Sequence, residues 1–182
     1  MARHEIDSSH TTFGFSAKHM VFTTVRGSFS DFAGGVDVEG DDNTQAKGRF
    51  VVQTASISTG DAKRDDHLRS ADFFDAATYP TITFVPTSIV AQGSERYQVT
   101  GDLTMRDVTK PIVLDVTVEG RHAKDAFGKQ RIAVSATGSL NRKEWGLNWN
   151  MALETGGVLV SEQIKLEIEA AFVAEAVVTA AA

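Results

Sequence analysis

The sequence is poor in several residue types that define other protein classes. It contains no cysteine and three prolines among 182 residues, and we count eight leucines. Without cysteine, the chain has no disulfides, no thiolate catalysis and no cysteine-based zinc or iron–sulfur site. The low proline content excludes a proline-rich linker or a collagen-like protein, and no stretch approaches the roughly 20 apolar residues of a membrane-spanning helix.

The chain also lacks an excess of basic residues. Its 18 Lys and Arg are outnumbered by 24 Asp and Glu, which gives a net charge of −6. Binding to a phosphate backbone requires a one-sided basic surface, so nucleic acid is not expected as a partner. Residues 1–7 show neither the apolar core nor the small-residue cleavage site of a secretory signal. We therefore expect a cytoplasmic location.

The abundant aliphatic residues are β-branched. We count 19 Val, 8 Ile and 18 Thr, a composition that favours strands over helices. Several segments alternate apolar and polar residues, which places one apolar row on a single face of a sheet. The clearest rows run through 112–118 and 163–172. With the run from Val25 to Val38, the patterns predict about eight antiparallel strands that form either a sandwich or a barrel.

One long insertion interrupts the strands. A first helix is predicted after Asp61, which can cap it, and Asp65 and Arg69 are four residues apart within it. A second short helix is predicted from Asp72 through Phe73, Phe74 and Ala77, because Tyr79-Pro80 then imposes an extended backbone. The insertion is a candidate lid over one end of the sheet.

Residues capable of catalysis or metal binding are sparse. The five histidines include no H-x-x-x-H pair, so we predict no metal site. The run Arg64-Asp65-Asp66-His67 contains an acid, a base and a cation, yet it is also an ordinary polar helix surface. The chain has no G-x-S-x-G motif or phosphate-binding loop. We therefore expect a protein that is not an enzyme and needs no cofactor.

Phenylalanine is unusually frequent for a chain with so little leucine. Eleven Phe could line a cavity for an apolar ligand, and Ala17, Gly101, Ala136 and Gly138 on the inward rows could leave room for it. A dry core in which these small residues offset bulky Phe is the alternative. The pattern by itself leaves both interpretations open.

Seven segments, in order, resemble the YceI-like family of bacterial lipid-binding proteins. They are DSSHTTFGFSAKHM (7–20), VRGSFSDFAG (25–34), RDDHLRSADFFD (64–75), YPTITF (79–84), GDLTMR (101–106), VTKP (108–111) and NRKEWGL (141–147). The resemblance extends from about residue 6 to 172. It departs from the family at Asp107, where relatives usually carry Gly; Asp tolerates a positive φ less well than Gly does, but we expect the hairpin to form.

The resemblance implies an all-β, lipocalin-like eight-stranded antiparallel barrel with a short helical insertion. We expect a single domain over 1–182, with the barrel at about 6–172 and a tail at 173–182 that is disordered or helical. The family holds long polyisoprenoids or related amphiphiles in the barrel. We therefore expect this chain to store or transport a polyisoprenoid, an isoprenoid quinone or a fatty-acid derivative. A partner-binding module with a filled core and an enzyme acting on such a lipid are the alternatives, and a homodimer is compatible with the family.

The predicted site has three parts. The inward rows supply the lumen residues, which are Phe13, Phe15, Phe50, Val52, Ile82, Phe84, Val99, Leu103, Ile112, Leu114, Val116, Ile132, Val134, Ile164, Leu166 and Ile168. Polar residues at the mouth that could contact a head group are His19, Arg64, His67 and Arg142, each of which could equally make a salt bridge or a capping contact. The lid residues are Leu68, Phe73 and Phe74.

Overall fold

The computed structural model describes residues 2–40 and 42–174 and consists mainly of strands. The strands are β1 (Ala2–Ile6), β2 (Thr12–His19), β3 (Thr23–Phe29), β4 (Phe32–Val38), β5 (Lys47–Gln53), β6 (Ile57–Ser58), β7 (Thr81–Gly93), β8 (Arg96–Met105), β9 (Val108–His122), β10 (Arg131–Asn141) and β11 (Gln163–Ala174). One α-helix, α1, spans Ala62–Arg69. Short 3-10 turns cover Ser8–His10, Asn43–Gln45, Thr54–Ser56 and Arg142–Trp145.

The sheet closes into a barrel. Eight strands pair in the order β1-β4-β5-β7-β8-β9-β10-β11, and β11 pairs again with β1, every pair being antiparallel. Beyond the β1 contact, β11 also pairs with β2 through Lys165–Glu169, and β3 and β6 extend the sheet from there. The prediction of an eight-stranded antiparallel barrel is confirmed, and the sandwich is excluded.

Three of the observed barrel strands are broken into two segments each. The 3-10 turn Ser8–His10 separates β1 from β2, and the turn Thr54–Ser56 separates β5 from β6. The predicted strand from Val25 to Val38 divides at Ser30-Asp31, so that β3 pairs with β2 while β4 pairs with β1 and β5. The eight strands of the barrel thus appear as eleven segments, because a strand bends where it leaves the closed barrel for the extension.

The helix α1 is capped as predicted, although one expected side-chain pair is absent. Asp61 accepts a hydrogen bond from the Arg64 backbone N–H at 2.9 Å. The Asp65 carboxylate is buried and accepts hydrogen bonds from the backbone N–H and hydroxyl of Thr59, at 2.8 and 2.6 Å. Arg69 instead donates to the carbonyls of Ala55 and Ile57 and to Asp66, so the prediction of an Asp65–Arg69 pair is wrong.

The second predicted helix, from Asp72 through Phe73, Phe74 and Ala77, does not form. The chain makes a series of turns there, in which the backbone N–H of Phe74 donates to Leu68 O and that of Ala76 to Arg69 O. Asp75 has φ +47°. The segment folds back onto the C-terminal carbonyls of α1. Its backbone N–H groups bond to those carbonyls and are therefore not available for the hydrogen bonds of a new helix.

The barrel strands extend slightly beyond the predicted limits of 6 and 172. β1 begins at Ala2, and β11 continues to Ala174, where it pairs with His4. The rest of the predicted tail, residues 175–182, lies outside the described residues. Among the residues described, none of the helices is long and apolar enough to span a membrane.

The most tightly packed core lies at the end of the barrel nearest α1. Trp145, 1% exposed, donates its indole N–H to Leu103 O at 3.0 Å. Phe73, Met105 and Leu147 are buried around it. This core stabilises one end of the barrel, whereas much of the remaining interior is open.

Candidate ligand-binding cavity

A cavity of about 740 Å³ runs through the barrel interior. All sixteen predicted lumen residues line it, because the alternation of side chains along each strand places every second residue inward. Its volume lies in the range of small-molecule sites, roughly 300–1,000 Å³. The packing therefore provides a ligand-sized apolar space instead of a filled core.

Phenyl rings form a substantial part of the lining, and several lie over glycine. Eight of the eleven Phe line the cavity: Phe13, Phe15, Phe29, Phe50, Phe73, Phe74, Phe84 and Phe172. The ring of Phe15 occupies the space above its cross-strand partner Gly27. Ring placement over cross-strand glycine covers backbone that would otherwise lack a packing partner.

Two of the small inward residues have a different role from the one predicted. A Cβ atom on Gly101 would overlap the ring of Phe84, and one on Gly138 would lie 2.8 Å from Leu114 Cδ2. The space beside each glycine is thus filled by a neighbouring side chain, so the prediction that they leave room for a ligand is wrong. Ala17 and Ala136 do line the cavity.

The cavity continues beyond the predicted set toward the end of the barrel distant from α1. Apolar residues that the sequence analysis did not include in the site are Ile6, Val36, Val38, Ile89, Val118 and Phe172. Ile6 and Phe172 are register partners on β1 and β11. Phe172 continues the inward row of β11, so an extension of the alternating pattern would have identified it.

Four of the predicted mouth and lid residues, His67, Leu68, Phe73 and Phe74, lie at the α1 end of the cavity. His67 Nε2 lies 2.8 Å from an oxygen of Asp72, and its ring stands edge-on to Trp149 and Phe73, with centroids 4.6 and 5.1 Å apart. Leu68, Phe73 and Phe74 all line the cavity. Trp149 was missed because it lies in an irregular segment whose sequence has no periodicity.

The other predicted mouth residues also line the cavity, and the guanidinium of Arg64 is engaged by the protein itself. Arg64 donates to the hydroxyl and carbonyl of Thr59, at 2.6 and 2.9 Å. His19 pairs with Val160 through an isolated backbone bridge. Both residues are half-buried, so part of each side chain faces the lumen.

Arg142 is a buried cation held by backbone carbonyls. It is 4% exposed and donates from Nε to Ser161 O at 2.9 Å and from Nη1 to Leu147 O. Its guanidinium lies 5.8 Å from the centroid of the Phe73 ring. Burial lowers the pKa of Arg142. These hydrogen bonds hold the segment after β10 against the residues that precede β11.

A second polar group lines the opposite end of the cavity. The side-chain amide of Asn43 donates to the Tyr97 hydroxyl at 2.9 Å, and Arg121 donates to Glu95 at 3.0 Å. Tyr97, Asn43 and Arg121 all belong to the lining. The cavity is therefore apolar along its length and carries hydrogen-bonding groups at both ends.

The acid–base group noted in the sequence does not converge on one point. Asp65 is directed at Thr59, whereas His67 is paired with Asp72. Across residues 2–40 and 42–174, no three His, Asp or Glu side chains are grouped so that they could hold a metal ion.

Comparisons with known proteins agree on one family. Residues 4–172 match the sequence model of the YceI-like domain. A UPF0312 protein of Staphylococcus aureus (strain USA300) is 36% identical over 174 residues, covering 94% of this chain and 98% of that protein. The Campylobacter jejuni YCEI protein, in a crystal form with large solvent channels for nanotechnology, has a TM-score of 0.74 and 30% identity over 87% of this chain and 90% of that one.

Two more distant structures share the fold. BcnA of Burkholderia cenocepacia superposes with a TM-score of 0.79 at 23% identity, covering 91% of this chain and 98% of BcnA. A polyisoprenoid binding domain from Saccharophagus degradans, implicated in plant cell wall breakdown, gives 0.71 at 18% identity, over 94% of this chain and 98% of that domain.

Proposed function

This chain belongs to the YceI-like family, as its sequence motifs indicated, and from that membership we propose that it binds one long apolar amphiphile within its barrel. The proposed ligand class is a polyisoprenoid, an isoprenoid quinone or a fatty-acid derivative, held for storage or transport. A structural neighbour described as a polyisoprenoid binding domain supports the isoprenoid class.

The cavity is the observation that carries the proposal. A space of about 740 Å³ bounded by aliphatic and phenyl groups is unfavourable when filled with water, because few polar groups are available to hydrogen-bond it. An apolar chain in the same space removes its own surface from water at roughly 25 cal/mol per Å². Affinity should therefore increase with chain length until the ligand fills the lumen.

The length of the cavity limits the ligand. The inward row of β11 runs from Ile164 to Phe172, eight residue steps that span about 26 Å at about 3.3 Å per residue. With a strand tilt of about 40°, this corresponds to about 20 Å along the barrel axis. We expect longer chains to bend inside the lumen or to extend from one end.

The head group is proposed to lie at one of the two polar ends. At the α1 end, His19, Arg64 and His67 offer donors near the lumen, whereas Tyr97, Asn43 and Arg121 do so at the other end. The α1 end is favoured because the lid residues Leu68, Phe73 and Phe74 adjoin it.

Extraction of the purified protein tests the proposal. Protein isolated from its own host should release a near-stoichiometric apolar molecule into organic solvent, identified by mass spectrometry. Ligand-free protein should then take up prenyl or acyl probes with an affinity that increases with chain length. A lipid-free extract together with no uptake of any such probe would overturn the proposal and favour the partner-binding alternative.

An enzyme acting on the same ligand is the competing class, with Arg64, Asp65 and His67 as its candidate polar cluster; His67 is paired with Asp72. We propose binding without turnover, because the candidate acid, Asp65, is engaged by Thr59. Incubation of a bound prenyl or quinone probe with the protein, followed by mass analysis, decides between the two. Recovery of altered probe from the native chain but unaltered probe from His67→Ala would identify an enzyme.

A further inference from the structure

Five exposed apolar side chains lie together outside the α1 end of the barrel. They are Met20, Val21 and Phe22 in the β2–β3 turn, with Met151 and Val158 in the segment before β11, and they are 50, 52, 87, 56 and 40% exposed, respectively. We call this set the apolar rim. Most exposed apolar residues of soluble proteins are scattered singly, so a group of five in adjoining loops requires an explanation.

Hydrogen bonds hold the two loops of the apolar rim together. The backbone N–H of Met20 donates to Leu159 O at 2.8 Å, and that of Leu159 donates to Met151 O at 2.9 Å. Val158 bridges to Ala152 in the same segment. The side chains are therefore presented as one surface.

The turn between β2 and β3 carries backbone strain. Met20 has φ +49° and Val21 has φ +71°. A β-branched residue in the left-handed region is uncommon, since its side chain crowds the backbone. Strain of this kind is retained at positions with a function, and here the strained turn holds Phe22, the most exposed large apolar residue of the described chain, in solvent.

The apolar rim is continuous with the cavity. His19, directly before the turn, and Leu159 and Val160, directly after Val158, all line the lumen. An apolar ligand that leaves this end would cross the rim before it reaches water. A ligand of that class is exchanged with a bilayer, because its concentration in water is negligible.

From these observations, and resting on the proposed function, we infer that the apolar rim inserts into the surface of a lipid bilayer and places the α1 end of the cavity against it. The five exposed portions amount to about three whole side chains, on the order of 600 Å². That is below the roughly 800 Å² per partner of a stable protein interface, which favours a bilayer over a second copy of the chain. The rim side chains carry no charge, so docking should depend on burial and not on anionic lipid.

Cosedimentation with phosphatidylcholine vesicles, without added ligand, tests the inference. The ligand-free chain should bind these neutral vesicles. Binding should persist at about 1 M salt, because electrostatic attraction is then screened beyond a Debye length of about 3 Å. Phe22→Ser should reduce vesicle partitioning by roughly tenfold or more. The matched control is Phe127→Ser, which removes a ring that is 83% exposed in the β9–β10 loop at the opposite end; its binding should equal that of the native chain.

A fluorescent label gives a second measurement that does not depend on a loss of binding. Because the chain has no cysteine, Phe22→Cys and Phe127→Cys each accept one environment-sensitive label. Vesicles should shift the emission of the label at 22 to the blue and leave that at 127 unchanged.

The outcomes separate this inference from the proposed function. The chain could take up prenyl probes in solution and yet fail to sediment with vesicles. That result would overturn docking and leave the proposed ligand binding supported. A dimer in analytical ultracentrifugation that Phe22→Ser dissociates, without vesicle binding, would assign the rim to self-association and overturn docking. Vesicle binding by a chain that takes up no probe would support docking and overturn the proposed ligand.

Discussion

The ring of Phe84 lies over Gly101 on the neighbouring strand β8, in the space that a Cβ atom would occupy. Phe84 lines the cavity and packs against the buried core at the α1 end. The relationship explains why a small inward residue there does not enlarge the lumen, and it makes the wall sensitive to a single methyl group.

Gly101→Ala should displace the Phe84 ring and lower the free energy of unfolding by about 1–3 kcal/mol, because overpacking forces the ring or the backbone to move. Urea denaturation measures the loss. Gly120→Ala is the control, since a Cβ atom at Gly120 has no heavy atom within 4 Å; its stability should remain within about 0.5 kcal/mol of the native value. Equal effects at both positions would show that the Phe84 contact is unimportant.

A charge inside the lumen should abolish ligand uptake. Val116 lines the cavity, whereas Val113, three residues earlier on β9, is 46% exposed on the outer face. Val116→Arg places a cation where the apolar chain should lie, which is costly without a partner. Val113→Arg makes the same chemical change in solvent and should leave uptake unchanged. Circular dichroism of both variants establishes that they fold, and uptake by folded Val116→Arg would contradict a ligand site at this position.

A glycine at position 107 should stabilise the turn between β8 and β9. Arg106 and Asp107 form a two-residue loop between Met105 and Val108, with φ +50° and +58°, so the expected hairpin is confirmed. Asp107→Gly should raise the free energy of unfolding by about 0.5 kcal/mol, since glycine adopts positive φ without steric cost.

Arg106→Gly tests the opposite outcome at the adjacent position. In the native protein the Arg106 guanidinium donates to Phe73 O at 2.8 Å and to Gly146 O at 3.1 Å. The loss of these hydrogen bonds should outweigh the stability gained from placing glycine at a positive φ. Thermal unfolding should show a higher midpoint for Asp107→Gly and a lower one for Arg106→Gly. A lower midpoint for both would mean that the Asp107 side chain contributes more than its backbone costs.

Asp7 should make the free energy of unfolding of the barrel depend on pH in the acidic range. Hydrogen bonds from Ser9 and from Arg131 hold the pKa of the Asp7 carboxyl well below its usual range. Because the folded-state pKa is depressed, this stabilisation is complete above the unfolded value of about 4 and is lost as the pH falls below it. Asp7→Asn should lower stability by about 1–2 kcal/mol at pH 7, with a difference that narrows below about pH 4.

Urea unfolding of native protein and Asp7→Asn across pH 3 to 7 measures this dependence. Asp115→Asn serves as the control, since Asp115 is exposed on the outer face of β9 and makes no side-chain hydrogen bond within the described part of the chain. A difference between native and Asp7→Asn that stays constant down to pH 3 would show that the carboxylate charge is not the stabilising feature.

The inward rows could be predicted because they depend on local geometry. Successive side chains of a strand point to opposite faces, so one assignment such as Leu114 inward settles Ile112 and Val116 as well. Some of the site residues missed, such as Phe172 on β11, continue a row that the pattern already showed, whereas others lie outside regular strands. Trp149 reaches His67 from an irregular segment, and no periodic pattern precedes it.

The segment after α1 shows the limit of local rules. Phe73, Phe74 and Ala77 have a helix-compatible spacing, but the backbone N–H groups of Phe74 and Ala76 bond to the carbonyls of Leu68 and Arg69 at the end of α1. That choice depends on contacts between non-adjacent residues and on Asp75 adopting φ +47°. Propensity does not determine such contacts, because tertiary packing outweighs small local preferences.

The sequence by itself determined that the chain forms strands, which face of each strand is apolar and where α1 begins, because these follow from the periodicity of side chains and from capping. Only the tertiary structure decided that β11 returns to β1 and closes the sheet, that the Phe84 ring fills the space above Gly101, and that Met20, Val21 and Phe22 gather with Met151 and Val158. Each of these depends on residues far apart in the chain, whose meeting is settled by packing over the whole barrel.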